Sequence, residues 1–348
     1  MRPLVSVVMP VYNGARDVRR AIASVFDQTF RDFELIVVND GSQDETAAVL
    51  DSMAELSDSR LRVVHLTRNV GVAAAVNHGI GLAQGDYIAR HDHDDISRPT
   101  RLEQQVRFMQ ARPECGLLGT RSEIWVVDQP TERGHFHPLE NPVLQFALLF
   151  DNYFVHSSVV IPKRVFDTVG LYSTDPLRQP PEDYELWSRI ARQYEVRNLP
   201  EQLLIYREMP KSLSSSGREG ASFFLDNLLM ISTENLAWRL GLPSPSQECR
   251  DAAALNHAAY AKVSQNVDIE AVCALVKRAA RKIEHVNPGA ELSSQVTQAI
   301  NGIRHQHSVW LQKNARADVL TELVPPDRSL LTRLSPAALA GKVKRFLG

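Results

Sequence analysis

Residues 86–99 read DYIARHDHDDISRP. An apolar, strand-like run stops there in three carboxylates, Asp92, Asp94 and Asp95, within four positions. Carboxylates packed that closely repel one another, and a buried one without a partner is costly. The stretch therefore asks for a positive partner, and it places chemistry at the end of a strand. The sequence before it sets the context. LVSVVMPVY (4–12) is a β-branched run, followed by a helical pattern from Ala15 to Gln28. FELIVVND (33–40) is a second apolar strand, and Ser42 with Glu45 has the spacing of a capping box that opens a helix through Met53. LRVVHLT (61–67) is a third strand, with a helix from Val70 to about Leu82. After the fourth strand, RPTRLEQQVRFMQAR (98–112) is helical with Pro99 in its first turn, and CGLLGT (115–120) is a fifth strand. Strands alternating with helices of this length predict an α/β fold: a Rossmann-like, mostly parallel sheet flanked by helices.

Further along, VHSSVVIPKRVFDTVG (155–170) reads as a strand and a short helix. PPEDYELWSRIARQY (180–194) has helix signals at both ends, and LLIYRE (203–208) is another strand. KSLSSSGREG (211–220) is a polar, mobile boundary, and from Ala221 to Gly348 the pattern is almost entirely helical. We expect two regions, 1–214 carrying the chemistry and 215–348 a helical region for packing, oligomer contacts or membrane-surface contact.

The chain has 348 residues, a net charge of -2 and 23% charged residues. That balance is ordinary for a globular protein and gives no electrostatic case for nucleic acid. The three cysteines, Cys115, Cys249 and Cys273, fit no zinc or disulfide spacing, so a reducing, cytoplasmic setting is expected. No apolar run reaches membrane-spanning length, and the first residues read as a strand rather than a signal peptide.

In doubly wound sheets ligands bind beyond the carboxyl ends of the strands. Polar residues stand at four such ends: Tyr12 and Asn13, Asp40, Arg68 and Asn69, and the acidic cluster. No glycine-rich dinucleotide or P-loop fingerprint follows the first strand, so phosphates would be handled by metal and side chains. Carboxylates suit hard divalent cations such as Mg2+ or Mn2+, which bridge to substrate phosphates. A solvated, helix-capping turn is the plainer reading of the cluster, and it suits Asp95 best.

VSVVMPVYNG, ELIVVNDGSQDET, RNVGVAAAVNHGI, GDYIARHDHDD and PEDYELWSRIAR occur in that order. Together they resemble glycosyltransferase family 2, inverting enzymes of the GT-A fold, over roughly residues 4 to 214. The resemblance implies a metal-dependent transfer of a sugar from a nucleoside diphosphate (UDP, GDP or dTDP) donor to a hydroxyl of a glycan or lipid-linked glycan. It implies that Pro10, Tyr12, Asn13, Asp40, Arg68 and Asn69 border the donor. Asp92 would lie toward the ribose or metal, Asp94 would be the direct ligand of Mn2+ or Mg2+, and Asp183 would be the general base. Glu182, His156 and Trp187 are candidates for the acceptor side, although core packing suits Trp187 better and His156 also reads as an ordinary strand histidine. His93 reads as a packing or solvent residue. The family's Tyr-Arg-x-His pattern is broken, because YREM ends in Met209, a poor ligand for hard cations. Metal binding would then rely on Asp94, the diphosphate and waters, or Glu208 would substitute as a ligand. The segment 328–348 mixes leucines with Arg328, Arg333, Lys342, Lys344 and Arg345. It reads either as a peripheral contact with the inner face of the plasma membrane or as a docked helix with a basic face. A homo-oligomer is compatible with the helical region. The rival reading from another class is a non-catalytic nucleotide-sugar-binding or scaffolding protein; a sugar-nucleotide-making nucleotidyltransferase lacks its basic glycine-rich loop here.

Overall fold

The structure is a computed structural model that describes residues 2–56, 59–208 and 218–323. The first half runs β1 (Val5–Val11), α1 (Val18–Phe26), β2 (Phe33–Asn39), α2 (Thr46–Leu56), β3 (Leu61–His65), α3 (Val72–Leu82), β4 (Tyr87–Arg90), β5 (Ile96–Ser97), α4 (Arg101–Ala111) and β6 (Cys115–Val126). Then follow β7 (Gln129–His135), α5 (Asn141–Ala147), β8 (Val160–Pro162), α6 (Lys163–Val169), α7 (Glu182–Ala191) and β9 (Glu195–Glu208). Four helices complete the described chain: α8 (Arg218–Leu240), α9 (Gln247–Asn256), α10 (Ile269–Val286) and α11 (Ser293–Leu323).

The described strands form one sheet in the order β3-β2-β1-β4-β8-β6-β9-β5, with β7 paired to β6. β3, β2, β1 and β4 are mutually parallel, and β6 runs parallel to β9. β8 is antiparallel to both β4 and β6. Every residue of β1 is buried, as a central parallel strand covered on both faces requires. The winding reverses at β1, whose neighbours β2 and β4 lie on opposite sides. That switch point is where such sheets open a crevice. Pro10 sharpens it: it lies beyond the last pair of the β1–β4 register, Val8 with Arg90, and has no N–H to offer a neighbour.

One face of the sheet packs Val7, Met9 and Leu35 against α1 and α4. The other packs Val8, Ile36 and Ile161 against α3, α6 and α7, with Trp187 fully buried among them. A third apolar cluster joins α8–α11 to Phe146, Leu149 and Phe150 at α5. Leu228 and Ile231 of α8 also enter the sheet-side cluster. The helical region is thus packed onto the sheet region through both α5 and α7.

The structure corrects several local expectations. α1 begins at Val18, three residues after the expected start, because the Gly14 carbonyl takes the Asp17 and Val18 N–H groups in a preceding turn. Ser42 does not cap α2: its hydroxyl accepts the Asn13 N–H at 2.9 Å, and Asp44 accepts the Thr46 N–H at 3.0 Å instead. Pro99 lies just before the N-cap of α4, Thr100. β6 and β9 run longer than their apolar cores, and β5 and β7 carried no readable alternation. The expected 211–220 boundary lies mostly outside the described residues, as do Met209 and the 328–348 segment. Among the described residues no helix is long and apolar enough to cross a membrane.

Candidate active site

The acidic cluster finds its positive partners inside the protein. Arg90, the last residue of β4, is almost wholly buried and donates to Asp92 Oδ1 at 2.6 Å. The Asp92 N–H donates to the Ser157 hydroxyl at 2.8 Å. Burial pushes the Asp92 carboxyl up, but the groups around it, the Arg90 guanidinium first among them, together hold it down at about 2. Asp95 is buried and accepts the Arg207 N–H at 2.9 Å, while burial and then the charges of Asp92 and Asp94 drive it well above the carboxylate range. Arg207, itself buried, bonds Asp17 and Asp128 at 2.8 Å each and the Asp94 carbonyl at 2.9 Å. Of the three carboxylates only Asp92 meets a guanidinium: no ion pair reaches Asp94 or Asp95 among the described residues, and Asp95 Oδ2 is buried without a hydrogen-bond partner. Burial, then the Asp92 charge, raises the Asp94 pKa. Part of the positive charge expected from the sequence is therefore Arg90, which pairs with Asp92, while Arg207 anchors the loop through its backbone N–H on Asp95 and its guanidinium on the Asp94 carbonyl; the sequence reading passed over both. The legible signal was there: Arg90 and Arg207 interrupt the strands YIAR and LLIYRE with a charge.

At the ends of β1 and β2, Tyr12 is 40% exposed and Asn13 adopts a φ of 51°. The Asn13 amide oxygen accepts the Gln43 N–H at 2.8 Å, which locks the β1 loop to the β2 loop. Asp40 is buried and accepts the Val70 and Gly71 N–H groups at 2.8 and 3.0 Å. It pins the loop after β3 to the sheet, so its first job is structural. Gly41 makes that approach feasible, since its φ is +63° and a Cβ there would meet the Asn69 nitrogen at 2.6 Å. Arg68 and Asn69 are exposed on the rim of an open cleft of about 520 Å³, which is also lined by Gly41, Gln43, Asp51 and His65. Strand ends β1, β2, β3 and β4 are thus brought to one side of the molecule.

Asp183 opens α7. Its carboxylate accepts the Asn152 amide at 2.8 Å and its own helix's Tyr184 N–H at 2.7 Å. Burial, then the neighbouring Glu182 charge, pushes it up to about 7. Glu182 is raised by burial and feels Arg90 and Asp92, so the start of α7 and the end of β4 share one electrostatic neighbourhood. His156 lies between them: it shares a 3.0 Å hydrogen bond with the Tyr172 hydroxyl and packs 5.8 Å from the Trp187 ring. Burial holds its pKa down at about 3, so it is neutral at neutral pH. Trp187 is a correction to the acceptor-side candidates: with 0% exposure it is core, because its helix turns that face into the sheet. His93 also packs, its ring lying over Gly14. Asn152, Ser157, Tyr172, Arg90 and Arg207 were missed because their roles depend on contacts between distant segments.

No group of three His, Cys, Asp or Glu side chains among the described residues could hold a metal alone. Glu208, considered as a substitute ligand, is ion-paired with Arg133. What remains is Asp94 and the free oxygen of Asp92, two hard carboxylates one residue apart. They fit a Mg2+ or Mn2+ ion whose other ligands are a diphosphate and water.

Comparisons with known proteins agree with this geometry. A family model described as glycosyl transferase family 2 matches residues 6–168. An uncharacterized glycosyltransferase of Haemophilus influenzae is 30% identical over 223 residues, covering 59% of this chain and 65% of that protein. EpsE of Bacillus subtilis is 30% identical over 230 residues, covering 66% of this chain and 81% of that protein. In fold, the chain is similar to S. aureus TarS 1–349 solved in complex with UDP-GlcNAc. The TM-score is 0.59 at 16% identity, over 89% of this chain and 92% of that one. The sheet with its switch point, the helical region packed on it and the matched segments lead to one conclusion: this chain belongs to glycosyltransferase family 2.

Proposed function

We propose that the protein is an inverting glycosyltransferase that moves a sugar from a nucleoside diphosphate donor to a hydroxyl of a glycan or lipid-linked glycan. The observation that carries this reading is Asp183. It is a carboxylate held near neutral pKa, oriented by Asn152, in the same neighbourhood as the Arg90–Asp92 pair but on a different wall. Inversion needs that separation. The acceptor hydroxyl attacks the sugar C1 from the face opposite the diphosphate; the new C1–O bond forms as the C1–O bond to the diphosphate breaks. Asp183 takes the acceptor proton. Asp94 and Asp92 would hold the divalent cation, which when bound offsets the charge growing on the leaving diphosphate. Arg90 keeps Asp92 ionised and fixed for that task. Arg68 and Asn69 border the cleft where the nucleotide would lie, Asn13 ties the β1 loop with Tyr12 to Gln43 on that cleft, and Asp40 holds the loop after β3 in place.

TarS, which shares the fold, was solved with UDP-GlcNAc. UDP-sugars are therefore the first donors to test, with GDP- and dTDP-sugars beside them. Donor hydrolysis and transfer with Mn2+ should fall by roughly 10²- to 10⁴-fold in Asp183→Asn, with nucleotide binding retained. Equal, measurable rates in the two proteins would rule out Asp183 as the base, and nucleotide binding without turnover in either would leave a nucleotide-sugar-binding protein as the better reading.

A further inference from the structure

Four rings that the mechanism does not use form a continuous belt on one side of the sheet. Tyr206 of β9 meets His135, the last residue of β7, at 5.2 Å between centroids. His135 meets His137 at 5.4 Å, and His137 meets Tyr153 at 5.8 Å. Each ring is half-buried, so each keeps part of its surface in solvent. The belt is held in place from behind. Ser122 Oγ and His135 Nδ1 share a 2.7 Å hydrogen bond, and the buried Asn198 amide donates to the Pro138 and Tyr153 carbonyls at 2.9 and 3.1 Å. That clamp ties together the two segments that carry His137 and Tyr153. His137 Nδ1 is buried and has no hydrogen-bond partner.

The ends of the belt matter most. Tyr153 follows Asn152, whose amide orients Asp183. Tyr206 precedes Arg207, which bonds the Asp94 carbonyl. The two ends of the belt are thus the chain neighbours of residues that touch the candidate base and the loop of the carboxylate pair, and an acceptor must reach the gap between those two. Its chemistry is also selective. Burial lowers both imidazoles, His137 to about 4, so the rings are neutral at neutral pH and the belt itself carries no charge. Neutral rings with polar edges suit a sugar: the ring's C–H face lies on an aromatic face, and hydroxyls meet imidazole nitrogen and phenol oxygen.

We propose that His135, His137, Tyr153 and Tyr206 form the wall that binds the acceptor's sugar, an uncharged pyranoside, by ring stacking. This rests on the transferase reading above. The test is saturation-transfer NMR on the full chain with UDP, Mn2+ and two probes, methyl β-D-glucopyranoside and methyl N-acetyl-β-D-glucosaminide. In the wild type the C–H protons of at least one probe's ring should receive saturation. His137→Ala and Tyr153→Ala should weaken that signal roughly fivefold, while His137→Phe, which keeps a ring, should retain it. UDP saturation, unchanged in all variants, shows that each is folded. The proposal is overturned if UDP binds and neither sugar contacts the wild type, or if the alanine variants keep the full sugar signal. Failure of the donor reading looks different: sugars give signal while UDP, GDP and dTDP give none.

Discussion

Asp183 serves two opposed demands. A base must be ionised, yet burial and Glu182 favour its protonated form and place it at about 7. The acid limb of the rate should therefore be centred near pH 7, with activity falling as pH drops. Asn152→Leu removes a hydrogen bond to the charged form, so the limb should move to higher pH in a kcat/KM profile. The same shift acts on stability with a defined sign. The folded pKa lies above the unfolded value of 3.8. Stability is full below that value and is lost as pH rises toward 7. Asp183→Asn cannot ionise, so its Tm should gain on the wild type across that window even as its activity is lost. A parallel pair of Tm curves would contradict the assignment. Gly41 is constrained in a different way. Its positive φ and the Asn69 backbone beside it leave no room for a Cβ. Gly41→Ala should cost about 2 kcal/mol or more in urea unfolding, because backbone gives way less readily than a side chain.

At the scale of elements, the end of β9 is the keystone of the acidic loop. Arg207 is buried, and its guanidinium bonds Asp17 before α1, the Asp94 carbonyl after β4, and Val127 and Asp128 after β6. Its N–H also donates to Asp95 Oδ1. Arg207→Met keeps the volume but leaves buried acceptors and at least one carboxylate unpaired. A loss of about 3–5 kcal/mol by denaturant unfolding is the expected outcome. The elements that place these residues were partly legible. β1, β2 and β8 announce themselves as β-branched runs, and α7 by its acidic first turn. β5 has two residues and β7 reads QPTERGH, so neither carries an apolar alternation; they exist because β9 and β6 offer them an edge.

For the whole molecule, the helical region is bound to the sheet through shared cores. Phe146, Leu149 and Phe150 lie in one cluster with α8–α11, and Leu228 and Ile231 of α8 lie in the cluster that contains Trp187. Asn235 of α8 adds buried hydrogen bonds to the Leu148 carbonyl and the Ser188 hydroxyl, both at 2.8 Å. A chain ending at residue 214 would expose this surface to water. It should aggregate or elute in the void volume on size-exclusion chromatography, whereas an independent domain would elute as a monomer.

The sequence by itself determined the alternation of strands and helices, the polar strand ends and the ordered segments that mark the family, since these are local patterns of period and spacing. It placed Asp92, Asp94 and Asp183 as candidates because their residue types sit at element ends. Tertiary structure alone decided which charges meet. Arg90 lies two residues from Asp92, but its burial beside Tyr172 and Glu182 depends on two other segments. Arg207 reaches Asp17 across 190 positions of sequence. Pairing of that kind leaves no periodic trace in the chain: it arises when a doubly wound sheet brings separated strand ends to one edge, where low dielectric makes every unpaired charge costly.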